Sequence, residues 1–360
     1  MTQSPKIIIV GSGIIGASIA LACQDLNADI LVLEQGTSGG VASGNSFGWI
    51  NASFAESPAY YGLRLEAIEG FRNLGLRLDL KDSLRWQGTL WWEGAGADFD
   101  AQWTKMLLNG YAAKLLNKNE VLALEPNLAD APEKAILTHK EGAASAQETA
   151  KSILRHVSLN GGKLIELCTV TGVRSRYGRL CGVKTDIGDF DCDMLVLATG
   201  AQAQSGLDGL DWSLPMANKA GMVLQTNRLP QFLNHTLMTS DVHFRQNANG
   251  SLTAGEIFGG DFNPVANPNT LATQTLERIQ AQLKNVETMT LVDVKVGQRP
   301  VPKDGFPVIG ALNELDGLFT AVMHSGVTLG PFVGELLAAQ MLLGSKSALL
   351  ADFSPARFEV

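Results

Sequence analysis

The pattern of apolar and polar positions near the start of the chain predicts a strand, a helix and a second strand. Residues 7–10 are all apolar and β-branched, as in a buried parallel strand. The mostly apolar segment 14–26 predicts a helix, and the apolar run 30–33 predicts another buried strand. These elements predict the beginning of a Rossmann-type α/β domain.

The loop between the first strand and the helix carries the glycine pattern Gly11-Ser-Gly13-Ile-Ile-Gly16. This spacing provides a tight turn, room for a pyrophosphate and close packing of helix on strand. Glu34 follows the second strand, about twenty residues past the glycines, where a ribose-binding acid is expected. We therefore predict a dinucleotide site in which the helix amides and dipole face the phosphates.

A second structured region is predicted between residues 145 and 200. Ser145-x-x-Glu148 predicts a capping box that begins a helix ending near residue 159. The segment 163–170 then predicts a strand, and 171–191 predicts small hairpins. An apolar strand before Ala-Thr-Gly200 ends in small residues, which let the backbone approach a ligand closely.

The C-terminal part predicts a further strand at 318–323, followed by a glycine-rich loop from His324. Pro331 is predicted to lie in the first turn of the next helix. A helix that begins after a glycine-rich loop is a second anion-attracting feature.

Alternating segments between these regions have antiparallel character, as in Val242-His-Phe-Arg245. The predicted fold class is therefore α/β, a Rossmann-type nucleotide-binding domain with an inserted antiparallel-sheet (α+β) substrate domain. The predicted nucleotide-binding domain is discontinuous and the substrate domain is made of two insertions. The nucleotide-binding domain comprises residues 1–80, 142–208 and 297–360, and the substrate domain comprises residues 81–141 and 209–296.

The composition of the chain argues against several classes of function. The chain has 360 residues and a formal net charge of −8, which argues against nucleic acid as a partner. An anionic substrate therefore needs a cation inside the site. The four cysteines form no CxxC pair, so we predict reduced thiols, no metal and a cytoplasmic protein. The chain has no uninterrupted stretch of about 18 apolar residues, so no membrane-spanning helix is predicted. The first apolar run is interpreted as a strand rather than a signal peptide.

Four motifs in this order resemble the D-amino-acid oxidase superfamily of FAD-dependent amine oxidoreductases, especially glycine oxidase, sarcosine oxidase and small D-amino-acid dehydrogenases. Beside the opening glycines they are Ala42-Ser43-Gly44-Asn45-Ser-Phe-Gly48, Leu197-Ala-Thr-Gly200, Arg299-Pro-x-Pro-x-Asp-Gly-x-Pro307 and His324-Ser-Gly-x-Thr-Leu. The resemblance covers nearly the whole chain and implies bound FAD. With no cysteine at the family's attachment position, it implies non-covalent FAD.

The resemblance also implies which residues surround the cofactor. They come from the glycine loop, the end of the second strand, the Ser43 loop, the strand ending at Gly200 and the loop after His324. The implied cofactor-binding residues are Gly11, Gly13, Ile14, Ile15, Gly16, Glu34, Gln35, Ser43, Gly44, Asn45, Ser46, Val170, Thr199, Gly200, Ser325, Gly326, Val327, Thr328 and Leu329.

For the substrate, the resemblance implies that Arg299 binds a carboxylate, and a planar, permanently charged fork suits that ligand. Substrate-binding residues are then Arg299, His243, Phe258 and Trp49, and catalytic residues are Arg299, His324 and His243. Glycine oxidases carry a second arginine after the histidine, but this loop is shorter and reads Ser-Gly-Val-Thr. That departure argues against glycine itself as the substrate.

The family's reaction transfers a hydride from the carbon bearing the amine to flavin N5 and leaves an imine that hydrolyses. We expect a small amino acid or N-substituted glycine as substrate and oxygen or a quinone-type compound as electron acceptor. Three alternatives stay open: oxidation of a 2-hydroxy acid, a flavin subunit of a larger electron-transfer complex and, weakest, a nicotinamide dehydrogenase. Assembly of identical chains is also left open.

Several of these residues also have an interpretation in which they serve the structure rather than the function. Arg299 pairs with Asp304 in one interpretation rather than with a ligand. His324 either transfers a proton or only accepts a backbone hydrogen bond. His243 is a surface histidine in the alternative view. The tryptophans at 86, 91 and 92 are interpreted as packing rather than as a cage for a cationic amine.

Overall fold

The computed structural model describes residues 4–256 and 267–358. The helices are α1 (Ile14–Asp25), α2 (Val41–Gly44), α3 (Pro58–Arg77), α4 (Gly96–Leu108), α5 (Lys118–Leu124), α6 (Ala146–Leu159), α7 (Pro268–Ala281) and α8 (Gly326–Leu343). The strands are β1 (Lys6–Val10), β2 (Asp29–Leu33), β3 (Trp49–Ile50), β4 (Leu84–Arg85), β5 (Thr89–Trp91), β6 (Ala113–Asn117), β7 (Lys134–Thr138), β8 (Gly142–Ala144), β9 (Lys163–Ile165), β10 (Val170–Arg176), β11 (Arg179–Thr185), β12 (Gly188–Asp191), β13 (Met194–Leu197), β14 (Met216–Arg228), β15 (Thr236–Met238), β16 (His243–Gln246), β17 (Ser251–Glu256), β18 (Leu291–Pro302), β19 (Val308–Ala311) and β20 (Leu318–Val322).

A six-stranded sheet in the order β19-β20-β13-β1-β2-β9 forms the first layer. All neighbouring pairs are parallel except β19 with β20; Ile8 of β1 lies opposite Leu31 of β2 and Leu195 of β13. Ile8 is almost fully buried because helices or a second sheet cover both faces, which is why these strands are apolar throughout. The prediction of a Rossmann-type sheet is confirmed, and the carboxyl ends of β1, β2, β13 and β20 meet at one edge.

The last long helix, α8, packs against α1 and α3 in the core of this layer. It begins at Gly326, so the prediction that Pro331 occupies the first turn is wrong: Pro331 lies inside the helix. Its missing N–H costs one helical bond, but close packing on α1 outweighs that loss. A Cβ on Gly334 would lie 2.8 Å from the Ser18 carbonyl oxygen, so only glycine permits this approach.

By length and composition, α8 alone among the helices of the described residues is apolar enough to cross a membrane. Most of its residues are buried against the protein. The same apolar composition is what a helix packed between α1 and α3 requires.

An eight-stranded sheet in the order β18-β14-β17-β16-β15-β5-β7-β6 forms the second layer, antiparallel apart from the parallel β15–β5 pair. Its strands come from residues 89–138 and 216–302, the two stretches in which insertions are predicted. The predicted limit at 296/297 falls inside β18, which runs continuously to Pro302. The domain limits stay a prediction.

Two local predictions between residues 145 and 170 are wrong. The helix α6 begins after Ser145 as expected, but the serine side chain makes no capping bond, and Glu148 binds Lys151 instead. The predicted strand 163–170 is split into β9 and β10, because Leu167 takes a positive φ of 55° and its amide bonds the Gly36 carbonyl. The hairpins predicted at 171–191 are confirmed as the three-stranded sheet β10-β11-β12.

Candidate active site

A cavity of about 1080 Å³ lies between the carboxyl edge of the parallel sheet and the eight-stranded sheet. Val10, Leu33 and Leu197, the last residues of three parallel strands, line one wall. Met222 and Arg299 belong to the opposite wall. The volume slightly exceeds the roughly 300–1,000 Å³ of common ligand pockets. A dinucleotide together with a small substrate therefore suits this space.

The glycine loop is shaped by backbone contacts that exclude side chains. Gly11 has a φ of 104°, and a Cβ there would lie 2.5 Å from the Ala198 carbonyl oxygen. A Cβ on Gly16 would lie 1.9 Å from the Gly11 carbonyl oxygen, so Gly16 holds the helix against the loop and does not line the cavity. Gly13 faces the cavity, next to the hydroxyl of Ser43, which accepts the Ile14 amide. Ser43 thus ties α2 to the N-terminus of α1.

Glu34 is held rigidly at the end of β2, where its side chain is 7% exposed. One carboxylate oxygen accepts hydrogen bonds from the Ser12 amide and hydroxyl, both 2.8 Å long. The other oxygen accepts the Gly36 amide at 2.8 Å. Each oxygen keeps accepting capacity, and Glu34 lines the cavity. Its role in holding a ribose stays a prediction that this geometry supports.

The structure brings most of the predicted site residues together around this one cavity. Gly16, Gly44, Thr328 and Leu329 do not line it, and Phe258 lies outside the described residues. The predicted residues that line the cavity are Gly11, Gly13, Ile14, Ile15, Glu34, Gln35, Ser43, Asn45, Ser46, Trp49, Val170, Thr199, Gly200, His243, Arg299, His324, Ser325, Gly326 and Val327.

Arg299 lies on β18 and faces the cavity. Its Nε is buried and has no hydrogen-bond partner among residues 4–256 and 267–358, and burial lowers its pKa. The structural alternative is wrong, because Asp304 pairs with Arg357 at 2.7 Å. Arg299 as a whole is half-buried, and leaving its buried Nε–H without a partner is costly unless a ligand supplies an acceptor.

His324 follows β20 and lines the cavity; its surface is exposed to the cavity space, and protein surrounds it otherwise. Desolvation, together with the positive charges of Arg299, Arg64 and Lys219, lowers its pKa from 6.5 to about 4. The imidazole is therefore neutral at neutral pH, with one nitrogen donating and the other accepting.

This lowered pKa predicts a pH-dependent loss of stability. The unfolded chain binds the His324 proton near pH 6.5 and the folded protein only near pH 4. Stability from this residue is therefore present above pH 6.5 and is lost as the pH falls toward 4. In thermal unfolding of the holoenzyme, His324→Gln is expected to lose less stability than wild type across that range. Parallel pH profiles of the two proteins would contradict the neutral imidazole.

His243 is 7% exposed, so the surface alternative is wrong. Its Nε2 lies 3.3 Å from Glu93 Oε2, and this contact lowers the pKa of the Glu93 carboxyl. Both residues line the cavity. The pair places a histidine and a carboxylate in the same cavity as Arg299.

Trp49 lines the cavity from β3, and its indole N–H is fixed by two acceptors. Nε1 donates to Thr89 Oγ1 at 2.9 Å and to Glu141 Oε2 at 3.0 Å. Glu141 is fully buried, and desolvation raises its pKa. By contrast, residues 86, 91 and 92 do not line the cavity; Trp91 stacks on Phe99, which agrees with their interpretation as packing.

Sequence reasoning missed four charged residues that line the cavity: Glu56, Arg64, Glu93 and Asp208. Arg64 lies on α3, is 5% exposed and lines the cavity. It lies four residues after Tyr60 and three before Ala67, both buried, so it is placed on the apolar face of the helix. An arginine on that face is the signal by which the sequence could have indicated it.

Comparison with known proteins agrees with this geometry. The family model described as DAO, FAD dependent oxidoreductase, matches residues 6–340. The glycine oxidase of Geobacillus kaustophilus is 27% identical over 376 residues, covering 99% of this chain and 98% of that protein. Its crystal structure aligns with a TM-score of 0.86 at 25% identity, covering 98% of both chains.

The hydrogen cyanide synthase subunit HcnC is also similar. The Pseudomonas aeruginosa protein is 27% identical over 251 residues, covering 68% of this chain and 60% of that protein. The Pseudomonas protegens protein is 30% identical over 203 residues, covering 54% of this chain and 47% of that protein. The matches thus span less than two thirds of the length of either HcnC.

FAD fits the residues present: a glycine loop without room for side chains, a fixed acid at the end of β2 and a helix N-terminus at Ser325–Val327 surround one cavity. The family model covers this entire site. The chain belongs to the DAO family of FAD-dependent oxidoreductases, and it is an enzyme that binds FAD.

Proposed function

We propose that this enzyme oxidises the C–N bond of a small amine that carries a carboxylate, an amino acid or an N-substituted glycine. The observation that carries the proposal is Arg299, a half-buried arginine that faces the cavity and lacks a carboxylate from the described residues. Its planar fork matches a carboxylate in two-point geometry. The positive charge also provides the local cation that a chain of net charge −8 requires.

FAD, when bound, supplies a two-electron acceptor that takes the hydride from the substrate carbon. The chain's contribution is to orient the substrate. Arg299 fixes the carboxylate, while Trp49 and His243 line the same cavity and limit the space for the rest of the substrate. The amine proton leaves to solvent, and water hydrolyses the resulting imine to an oxo acid and an amine or ammonia. A substrate whose amine is neutral needs no strong protein base.

The N-terminus of α8 supports the same reaction electrostatically. Ser325, Gly326 and Val327 line the cavity, and the first amides of a helix carry partial positive charge. These amides would stabilise negative charge on the reduced cofactor. Neutral His324 would offer one hydrogen-bond donor and one acceptor beside this helix end.

A 2-hydroxy acid is the second candidate substrate, and the His243–Glu93 contact favours it. A hydroxyl substrate needs a base to accept its proton. His243 Nε2 lies 3.3 Å from Glu93 Oε2 and both residues line the cavity, so the pair offers a ring nitrogen and a carboxylate oxygen to such a hydroxyl. Arg299 would bind the carboxylate in either reaction.

The electron acceptor is a separate proposal. Both similar HcnC proteins are named as subunits, which supports transfer of electrons to a partner. Glycine oxidase, which matches along its full length, supports oxygen instead. Oxygen consumption during turnover, compared with reduction of a soluble quinone, separates these acceptors.

Product analysis tests the proposal. The holoenzyme is incubated with D-amino acids, N-methylglycine, secondary amine carboxylates and 2-hydroxy acids, and oxo acid and released amine are measured by mass spectrometry. We expect equal amounts of oxo acid and amine or ammonia from at least one amine. Oxo acid formed only from hydroxy acids, without nitrogen release, would establish the second candidate and overturn the first.

A further inference from the structure

We infer that Arg64 is a second anion-binding residue of the cavity, and that the site takes an amine carrying two carboxylates. This inference rests on the proposed function and names its substrate class. One carboxylate would bind Arg299 on β18, and the other would bind Arg64 on α3. The two cations come from different layers of the protein and face the same cavity.

The hydrogen bonds of Arg64 leave part of its guanidinium free for a ligand. Nε donates to the Asn51 carbonyl oxygen at 3.0 Å, and Nη2 donates to Asn51 Oδ1 at 2.6 Å. Among residues 4–256 and 267–358, Nη1 has no hydrogen-bond partner and no carboxylate forms an ion pair with Arg64. Both acceptors are neutral, and the Tyr60 ring, 5.2 Å from Cζ, offers only a partial negative charge, so no carboxylate of the described residues pairs with this side chain, which is only 5% exposed.

The anchoring of Arg64 is rigid. Asn51 is itself buried, and its main-chain N–H donates to Oγ1 of Thr328, a residue of α8, at 3.2 Å. The guanidinium is thereby held in one orientation by Asn51, the residue after β3, which is itself bonded to α8, so little side-chain entropy is lost when an anion binds. Preorganisation of this kind is typical of a ligand site rather than of an arginine that only packs.

Both arginines line the same cavity as His324. The charges of Arg299 and Arg64 both act on this one imidazole. An amine with a single carboxylate neutralises Arg299 and leaves Arg64 charged in the cavity. An amino dicarboxylate neutralises both, and the site discriminates against substrates that leave Arg64 unpaired.

Binding of non-oxidisable acids to the holoenzyme tests this inference without any turnover. Malonate, succinate and glutarate are compared with acetate and propionate by perturbation of the flavin spectrum and by thermal stabilisation. Wild type is expected to bind at least one dicarboxylate about 10- to 100-fold more tightly than the monocarboxylates, the range for a charge-assisted hydrogen bond.

In Arg64→Met, the dicarboxylate is expected to lose that advantage, while monocarboxylate binding changes much less. Arg64→Lys keeps the charge and should restore part of the affinity. Arg77→Met makes the same change at the exposed end of α3, where the arginine pairs with Asp25, and should bind like wild type. Flavin content and thermal stability are measured for each variant, and Arg64→Lys provides the comparison if Arg64→Met does not fold.

Equal weakening of mono- and dicarboxylates in Arg64→Met, or no weakening of either, would overturn the inference. Unchanged dicarboxylate binding with a lowered flavin reduction potential would assign Arg64 to the cofactor, which also overturns it. Failure of the proposed function is a different result: dicarboxylates would still bind in an Arg64-dependent manner, but no amine would yield an oxo acid.

Discussion

Arg299→Ala is expected to lower kcat/KM for carboxylate-bearing substrates by about 10²- to 10⁴-fold, or ~3–5 kcal/mol. The substitution removes the half-buried guanidinium and with it the proposed two-point contact with the carboxylate, so the substrate anion enters the cavity without that partner. FAD is expected to remain bound, because the residues around the glycine loop are unchanged. Steady-state kinetics and the flavin-to-protein absorbance ratio measure the two effects.

Two controls separate anchoring of the carboxylate from a general effect of charge. Arg299→Lys retains a positive charge without the planar fork and should fall between alanine and wild type. An amine without a carboxylate should react equally slowly with wild type and Arg299→Ala. Loss of FAD from a folded Arg299→Ala protein would show that Arg299 belongs to the cofactor site instead.

Gly16→Ala is expected to destabilise the protein by about 3 kcal/mol or more and to abolish retention of FAD. The added Cβ would lie 1.9 Å from the Gly11 carbonyl oxygen. No side-chain rotation relieves a clash with backbone, so α1 must move away from the glycine loop. Denaturant unfolding and flavin content of the purified protein test this prediction.

Gly62→Ala is the matched control, since Gly62 also lies in a helix and a Cβ there meets nothing within 4 Å. Alanine favours helix over glycine, so this variant should be up to ~1 kcal/mol more stable than wild type with full FAD content. If Gly16→Ala behaves like Gly62→Ala, the close contact between helix and glycine loop does not determine cofactor binding.

The parallel sheet was predictable because its strands are short, continuous apolar runs bounded by glycines or acids. Residues 7–10 and 30–33 predict β1 and β2, and the run before Gly200 predicts β13. The acid at Glu34 and the glycines were likewise assignable from spacing alone. A local sequence pattern is sufficient to predict such a strand, because burial on both faces requires a continuous apolar run.

Features that depend on contacts between distant segments were not predictable in this way. The segment from His324 has loop-like composition, yet α8 begins at Gly326 because packing on α1 stabilises the additional turns. Local spacing favoured Pro331 in the first turn, and tertiary contacts overrode that preference. The burial of His243 likewise depends on the neighbouring strands of the eight-stranded sheet.

Arg64 is a site residue whose place in the cavity likewise depends on contacts between distant segments. Its position on the apolar face of α3 is visible in the sequence, but its proximity to His324 and to the cavity is not. The closing loop after His324 lacks a second arginine, and that local fact alone suggested a single cation. The fold brings the second cation from α3, 260 positions earlier in the chain than His324.

Anaerobic mixing of the holoenzyme with amino acids, secondary amine carboxylates and 2-hydroxy acids tests the central claim most directly. The claim is that one cavity holds FAD beside Arg299 and an amine carboxylate. It predicts rapid loss of the flavin's visible absorbance with at least one amine carboxylate, and a much slower loss in Arg299→Ala. An oxidised flavin that no amine bleaches would contradict the claim.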